Sequence, residues 1–205
     1  MSPLTKLSEI LSTFPGIGPR QAERMAYFLC AKDKRTITSL QKALEDISEE
    51  RKRCSKCRSL FFFKGTRDVC DICSSKNRDG TLLIVTDTEI NRNSIEKSGI
   101  TNGQYFIVGR SLPITERDGE KLPVNEVKKR IEELSENGLE EIVLIFNYTP
   151  EGEHTGDLVR GEIESVCKEK GIKISFPGRG FSTGTEIEYS DADTLKQAFS
   201  NRQVK

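Results

Sequence analysis

Apolar positions follow two regimes along the chain, and the change falls near residue 80. Before it they recur at spacings of three and four: Leu4, Leu7, Ile10 and Leu11, then Ala22, Met25, Ala26 and Leu29, then Ile37, Leu40, Leu44 and Ile47. That period puts each set on one face of a helix. Pro15-Gly16 breaks the first helix, and Pro19 suits the first turn of the second. Beyond residue 80, Thr81–Val85, Tyr105–Val108, Ile142–Phe146 and Ile172–Phe176 read as strands buried on both faces. Glu89–Lys97, Val124–Asn137 and Thr155–Lys170 read as the helices between them, with Gly99, Gly138 and Gly171 at their ends in left-handed positions. Asp193 is expected to cap a last helix, Thr194–Arg202. Alternating strands and helices predict a mostly parallel sheet covered on both faces, with chemistry at the carboxyl ends of its strands.

Between the two regimes lies Cys54-x2-Cys57-x12-Cys70-x2-Cys73. Each CxxC pair can clasp an ion from a tight turn, and the intervening residues form a hairpin that unites the pairs. Four thiolates suit zinc in tetrahedral coordination and leave no position open for water, so such a site is structural. Reduced buried cysteines or a redox CxxC are the competing reading. Cys30 and Cys167 lie on helical stretches among apolar neighbours and read as packing residues.

Composition narrows the class. Of the 205 residues 35% are hydrophobic and 31% charged, as in a soluble globular protein. The apolar runs fall far short of the roughly 20 residues needed to span a bilayer. Met1-Ser2-Pro3-Leu4-Thr5-Lys6 does not read as a signal peptide, so a cytoplasmic setting is expected, with cysteines as thiols or metal ligands. The net charge of zero conceals a division: residues 1–80 carry 16 Lys/Arg against 10 Asp/Glu, and residues 81–205 carry 16 against 22. A basic first half facing phosphate is the reading this division favours.

Two further segments carry candidate chemistry. Phe14-Pro15-Gly16-Ile17-Gly18-Pro19-Arg20 resembles the helix-hairpin-helix motif. Gly16 and Gly18 permit a tight turn with exposed backbone N–H groups, and Arg20 and Arg24, one helical turn apart, add cations for a DNA backbone. Asn147-Tyr148-Thr149-Pro150-Glu151-Gly152-Glu153 resembles the Toprim motif, in which carboxylates hold magnesium for phosphoryl transfer. Asp87 is placed to be the acid that ends the first strand. Asn147 and Thr149 occupy the two aspartate positions, leaving Asp87, Glu151 and Glu153 as an incomplete set. His154, the one histidine, reads as an exposed loop residue, and the glycine-rich Gly178–Gly184 as a surface or assembly loop without a P-loop lysine.

The order of these parts resembles the RecR family from near Leu7 to Arg202. Pro15-Gly16-Ile17-Gly18-Pro19, the four cysteines, Asn147-x-Thr149-x-Glu151-Gly152-Glu153-x-Thr155, and Arg179-Gly180…Gly184-x-Glu186-x-Glu188-Tyr189 leading to Thr194-Leu195 carry the resemblance. The chain departs from it at Asp87, where relatives usually have Glu, at Ser182, where Pro is common, and at Pro150, unusual in that loop. The resemblance implies an α+β, multi-module fold: a helix-hairpin-helix DNA-binding region over 1–53, a four-cysteine zinc module over 54–79, a Toprim-like α/β domain over 80–177 and an assembly segment over 178–205. It also implies a non-catalytic recombination mediator that forms ring-like oligomers on DNA. With RecO and RecF such a mediator helps load RecA at gapped or single-stranded DNA. The alternative from another class is a catalytic Toprim nuclease or topoisomerase-like enzyme.

Overall fold

The computed structural model describes residues 1–117 and 121–202. The chain divides into two compact units, Met1–Arg51 with Phe62–Gly65, and Lys52–Phe61 with Thr66–Lys205. In the first, α1 (Pro3–Ser12), α2 (Pro19–Cys30) and α3 (Lys34–Glu50) lie where the helical period predicts them. Ser2 caps α1 by accepting from the Thr5 N–H, and Asp33 caps α3 by accepting from that of Thr36. Leu11, Ala22 and Ala26 form a small core with Leu4, Leu7 and Ile17 packed against it. Small alanines let α1 and α2 approach closely. Not every residue of these one-face sets turns inward, however: Ile10, Met25, Leu40, Leu44 and Ile47 are all exposed, and α3 buries no residue at all. Cys30 is also exposed, against its reading as a packing residue.

A two-stranded ribbon, β1 (Arg51–Arg53) and β2 (Leu60–Phe62), carries the chain into the second unit. There the short α4 (Asp71–Ser74) precedes β3 (Asp79–Thr86), α5 (Glu89–Ser98), β4 (Gly103–Ile107), α6 (Val124–Ser135), β5 (Glu141–Ile145), α7 (Pro150–Lys170) and β6 (Lys173–Ser175). A 3-10 turn at Ile187–Tyr189 and α8 (Ala192–Ser200) follow, with Asp191, not Asp193, as the cap of α8. The four strands pair in the order β4-β3-β5-β6, and every pairing is parallel. Leaving β3, the chain first adds β4 on one side and then crosses back to add β5 on the other. Right-handed crossovers therefore put α5 and α6 on opposite faces. The order reverses at the carboxyl end of β3, the place where an open parallel sheet offers a crevice.

The main core lies between the sheet and α6 with α7, where Leu83, Val85, Phe106, Ile142 and Leu144 meet Val127, Ile131, Val159, Ile163 and Cys167. Burial on both faces holds for β4 and for the last half of β3, but not for β5, whose Glu141, Val143 and Ile145 are half-exposed, nor for β6. The second face is covered over β4 and thins toward β6, because α5 packs on β4 and buries no residue of its own. Gly99, Gly138 and Gly171 have φ of 65°, 89° and 69°, the left-handed conformation expected of them.

The start of α7 differs from its predicted place at Thr155. Thr149 caps the helix by accepting from the Gly152 N–H at 3.2 Å, and Pro150 takes the first turn, which explains the proline at this point. The helix is thereby laid directly on the end of β5. A Cβ built on Gly152 would lie 2.2 Å from the Asn147 carbonyl oxygen, a backbone atom that cannot swing away. Gly152→Ala is expected to cost at least about 3 kcal/mol of stability, read as a large fall in the thermal midpoint.

Candidate functional site

The four cysteines come together at a point where the chain makes two tight turns. In the first, the Arg58 N–H donates to the Cys54 carbonyl at 2.9 Å and Arg58 itself is left-handed, with φ of 61°. In the second, Cys70 precedes α4 and its N–H donates to Cys54 Sγ at 3.4 Å, a bond that favours an anionic sulfur. All four side chains are buried, and their ligand atoms lie within 4.8 Å of one another. Hydrogen bonds from Cys57 and then Cys70 hold Cys54 far below the ordinary thiol range, while the bond to Cys54 holds the proton firmly on Cys57. The set fits a soft-to-borderline cation: four sulfur donors, no carboxylate or imidazole, and a shape that closes around one ion.

This cysteine cluster is tied to β4, α5 and α6, once each. The Cys57 carbonyl accepts from the Ile107 N–H at 2.8 Å, the Leu60 N–H donates to Glu89 Oε1 at 3.1 Å, and Arg58 pairs with Glu126 at 2.6 Å. The first of these occupies the outer edge of β4, so the module covers a strand edge that would otherwise be free to pair with another chain.

In the first unit, the hairpin between α1 and α2 turns at Phe14-Pro15-Gly16-Ile17, with the Ile17 N–H donating to the Phe14 carbonyl at 3.0 Å and Gly16 at φ of 76°. Gly18 caps α2 without a side chain. Among the described residues, the N–H groups of Gly16, Gly18, Arg20 and Gln21 have no protein acceptor. A left-handed backbone explains glycine at 16. Gly18 has an ordinary φ of −81°, and nothing lies within 4 Å of a Cβ built there. Neither local conformation nor packing demands glycine at 18, and the open space there leaves the backbone accessible from outside. Arg20 and Arg24 are exposed and make no ion pair among the described residues.

At the strand-order reversal, Asp87 is fully buried at the end of β3. Its carboxylate accepts from Asn91 Nδ2 at 2.6 Å, Ser111 Oγ at 2.9 Å and Asn147 Nδ2 at 3.1 Å, and Asn91 also donates to Asn147 Oδ1 at 3.0 Å. Neutral donors thus surround both oxygens of the acid. Thr149 is engaged as the α7 cap. Glu151 and Glu153 stand in the first turn of that helix, not in a loop, and Glu153 pairs with Arg179 at 2.7 Å. Among the described residues the four cysteines are the one acid, histidine or cysteine group fit to hold a metal ion. Asp87, Glu151 and Glu153 are not gathered into such a group. His154 is half-buried in α7 and bonded through its ring to the Glu116 carbonyl, not the exposed loop residue expected.

Two family models match at opposite ends of the chain. Residues 4–48 match the helix-hairpin-helix of RecR, and residues 182–203 match the RecR C-terminal segment. Both ends of the chain are thus similar to RecR. The first match covers the hairpin with Gly16, Gly18, Arg20 and Arg24, and the second covers the exposed Ile187 and Tyr189 and helix α8. RecR domains mark the chain as a DNA-binding protein of recombination and repair. No helix among the described residues is long and apolar enough to cross a membrane.

Sequence reasoning missed the partners of Asp87. Asn91 follows it by one helical turn of α5, while Ser111 comes from the loop after β4. Neither forms part of a recurring pattern. It also missed Arg78, whose nearly buried guanidinium pairs with Glu96 at 2.6 Å and joins β3 to α5. A charged residue just before an apolar run was the available signal there.

Proposed function

We propose that this protein is a non-catalytic mediator that grips the backbone of gapped or single-stranded DNA through the hairpin at Gly16–Arg24. In this reading it acts with RecO and RecF to help load RecA. The observation that carries the reading is the hairpin: N–H groups at a helix start and two arginines one turn apart, none with a partner among the described residues, beside a glycine that no local conformation or contact requires. Zinc is the proposed occupant of Cys54, Cys57, Cys70 and Cys73, with a structural role and no part in a reaction. Cytoplasmic residence follows from this chemistry, which needs reduced thiols.

A homo-oligomer, ring-shaped by family resemblance, is part of the proposal. The apolar stripe Leu40, Leu44 and Ile47 of α3 is exposed in the single chain, and the helix ends in Glu45, Asp46, Glu49 and Glu50, which repel phosphate. A second copy of the chain is the fitting cover for it. Several hairpins in one assembly would turn weak phosphate contacts into useful avidity despite zero net charge.

Catalysis at the Toprim-like end of the sheet is disfavoured because a magnesium site needs several free oxygen anions. Asp87 is saturated by amide and hydroxyl donors, Glu153 is paired with Arg179, and Glu151 alone is left facing solvent. Pure protein incubated with nicked, gapped, supercoiled and single-stranded DNA in magnesium or manganese is expected to bind without cleavage, relaxation or synthesis. Turnover that disappears in Asp87→Asn while binding persists would select the enzyme instead.

A further inference from the structure

We infer that α2 carries a stacking platform for unpaired bases beside the hairpin's phosphate contacts. This inference rests on the DNA-binding reading above. Ala22 and Ala26 turn one side of α2 into the core. At 100° per residue, the side opposite them presents Arg20, Arg24, Tyr27 and Phe28 in one continuous face, with Lys32 two residues past the helix end. Tyr27 is 57% exposed and Phe28 60%, so two aromatic rings stand in solvent with cations on both sides. Lys32 Nζ lies 4.2 Å from the centre of the Phe28 ring. Beyond it Lys34 and Arg35 are exposed at the start of α3 and, like Lys32, make no ion pair among the described residues. Asp33 is occupied as the α3 cap, and Glu23 falls at the border of the face.

This pattern distinguishes a nucleic-acid surface from a protein interface. The exposed stripe of α3 is aliphatic and leads into acids, whereas the face of α2 is aromatic and runs between cations. From Arg20 to Cys30, the last residue of α2, is about 15 Å along the helix, with Lys32 just past its end, roughly four nucleotides at the stacked spacing of about 3.4 Å. Phosphates held at the two ends leave the bases between them over Tyr27 and Phe28. Stacking of this kind is open only to unpaired bases, because those of a duplex already stack on one another. The platform therefore turns a motif that holds any DNA backbone into one that favours the single-stranded side of a gap.

The test uses the full-length protein and compares an oligothymidylate with a duplex of equal length. In the double variant Tyr27→Ser/Phe28→Ser, single-strand affinity is expected to fall about tenfold or more, with duplex affinity little changed. The exposed positions leave the fold intact, which thermal melting checks. Because the chain has no tryptophan, Tyr27→Trp supplies an independent reporter whose emission the oligothymidylate should quench and the duplex should not. Equal losses for both DNAs, no loss for either, or a fall in particle mass showing that the face belongs to a second copy would overturn the inference. Protein that binds neither DNA before substitution would refute the DNA-binding reading itself, whereas wild-type binding with an indifferent double variant refutes only the platform.

Discussion

Removal of the bound metal is expected to unfold the cysteine module and to loosen the sheet beside it. The module has little apolar core of its own, with Phe61 and the cysteines as its buried apolar residues between 52 and 78, so metal binding would supply most of its folding energy. In small zinc modules that energy is about 10–16 kcal/mol at neutral pH. Elemental analysis should find one zinc per chain, and Cys70→Ser should lower metal content and thermal midpoint together. The loss should reach β4, because Ile107 gives its N–H to the Cys57 carbonyl. Hydrogen exchange after chelation should therefore quicken at Ile107 as well as over 54–78, while the α1–α2 hairpin keeps its protection. Native protein without zinc, or chelated protein with an unchanged Ile107 amide, would contradict this account.

Restoring the aspartate that a catalytic Toprim site would carry is expected to damage the protein rather than revive it. Asn147 Nδ2 gives a proton to Asp87 Oδ2 at 3.1 Å. Asn147→Asp replaces that donor by a second carboxylate facing a buried one, and among the described residues Asp87 makes no ion pair. Loss of a buried charge-assisted bond and the added repulsion should cost about 3–5 kcal/mol near neutral pH. Chemical denaturation at neutral pH measures it. A variant as stable as the parent at neutral pH would show that the network around Asp87 is not what holds this end of the sheet.

What the sequence revealed depended on whether its information was local. The metal ligands are legible because two short spacings and one hairpin define the site without any distant contact. The hairpin is legible for the same reason, since Gly16 takes the left-handed position of the turn and Pro19 opens α2 within a few residues. The helix start at Pro150 was also written locally, as Thr149, Pro150 and two acids in a first turn, but reading the stretch as a motif loop hid that signal. Periodicity identified the apolar stripe of α3 without revealing that the single chain leaves it uncovered, since a stripe does not name its partner. The Asp87 network could not be foreseen from spacing: its donors come from three separate segments, and hydrogen-bonding side chains are free to use many other partners.

The salt dependence of DNA binding by the Arg20→Ala/Arg24→Ala double variant tests the central claim most directly. Affinity for a gapped duplex should fall linearly on a log–log plot against salt concentration. Loss of two phosphate contacts should reduce the magnitude of the slope by about 1.8, with no change in sequence preference. A double variant that stays folded and assembled yet keeps the parent slope would show that the hairpin does not hold the DNA.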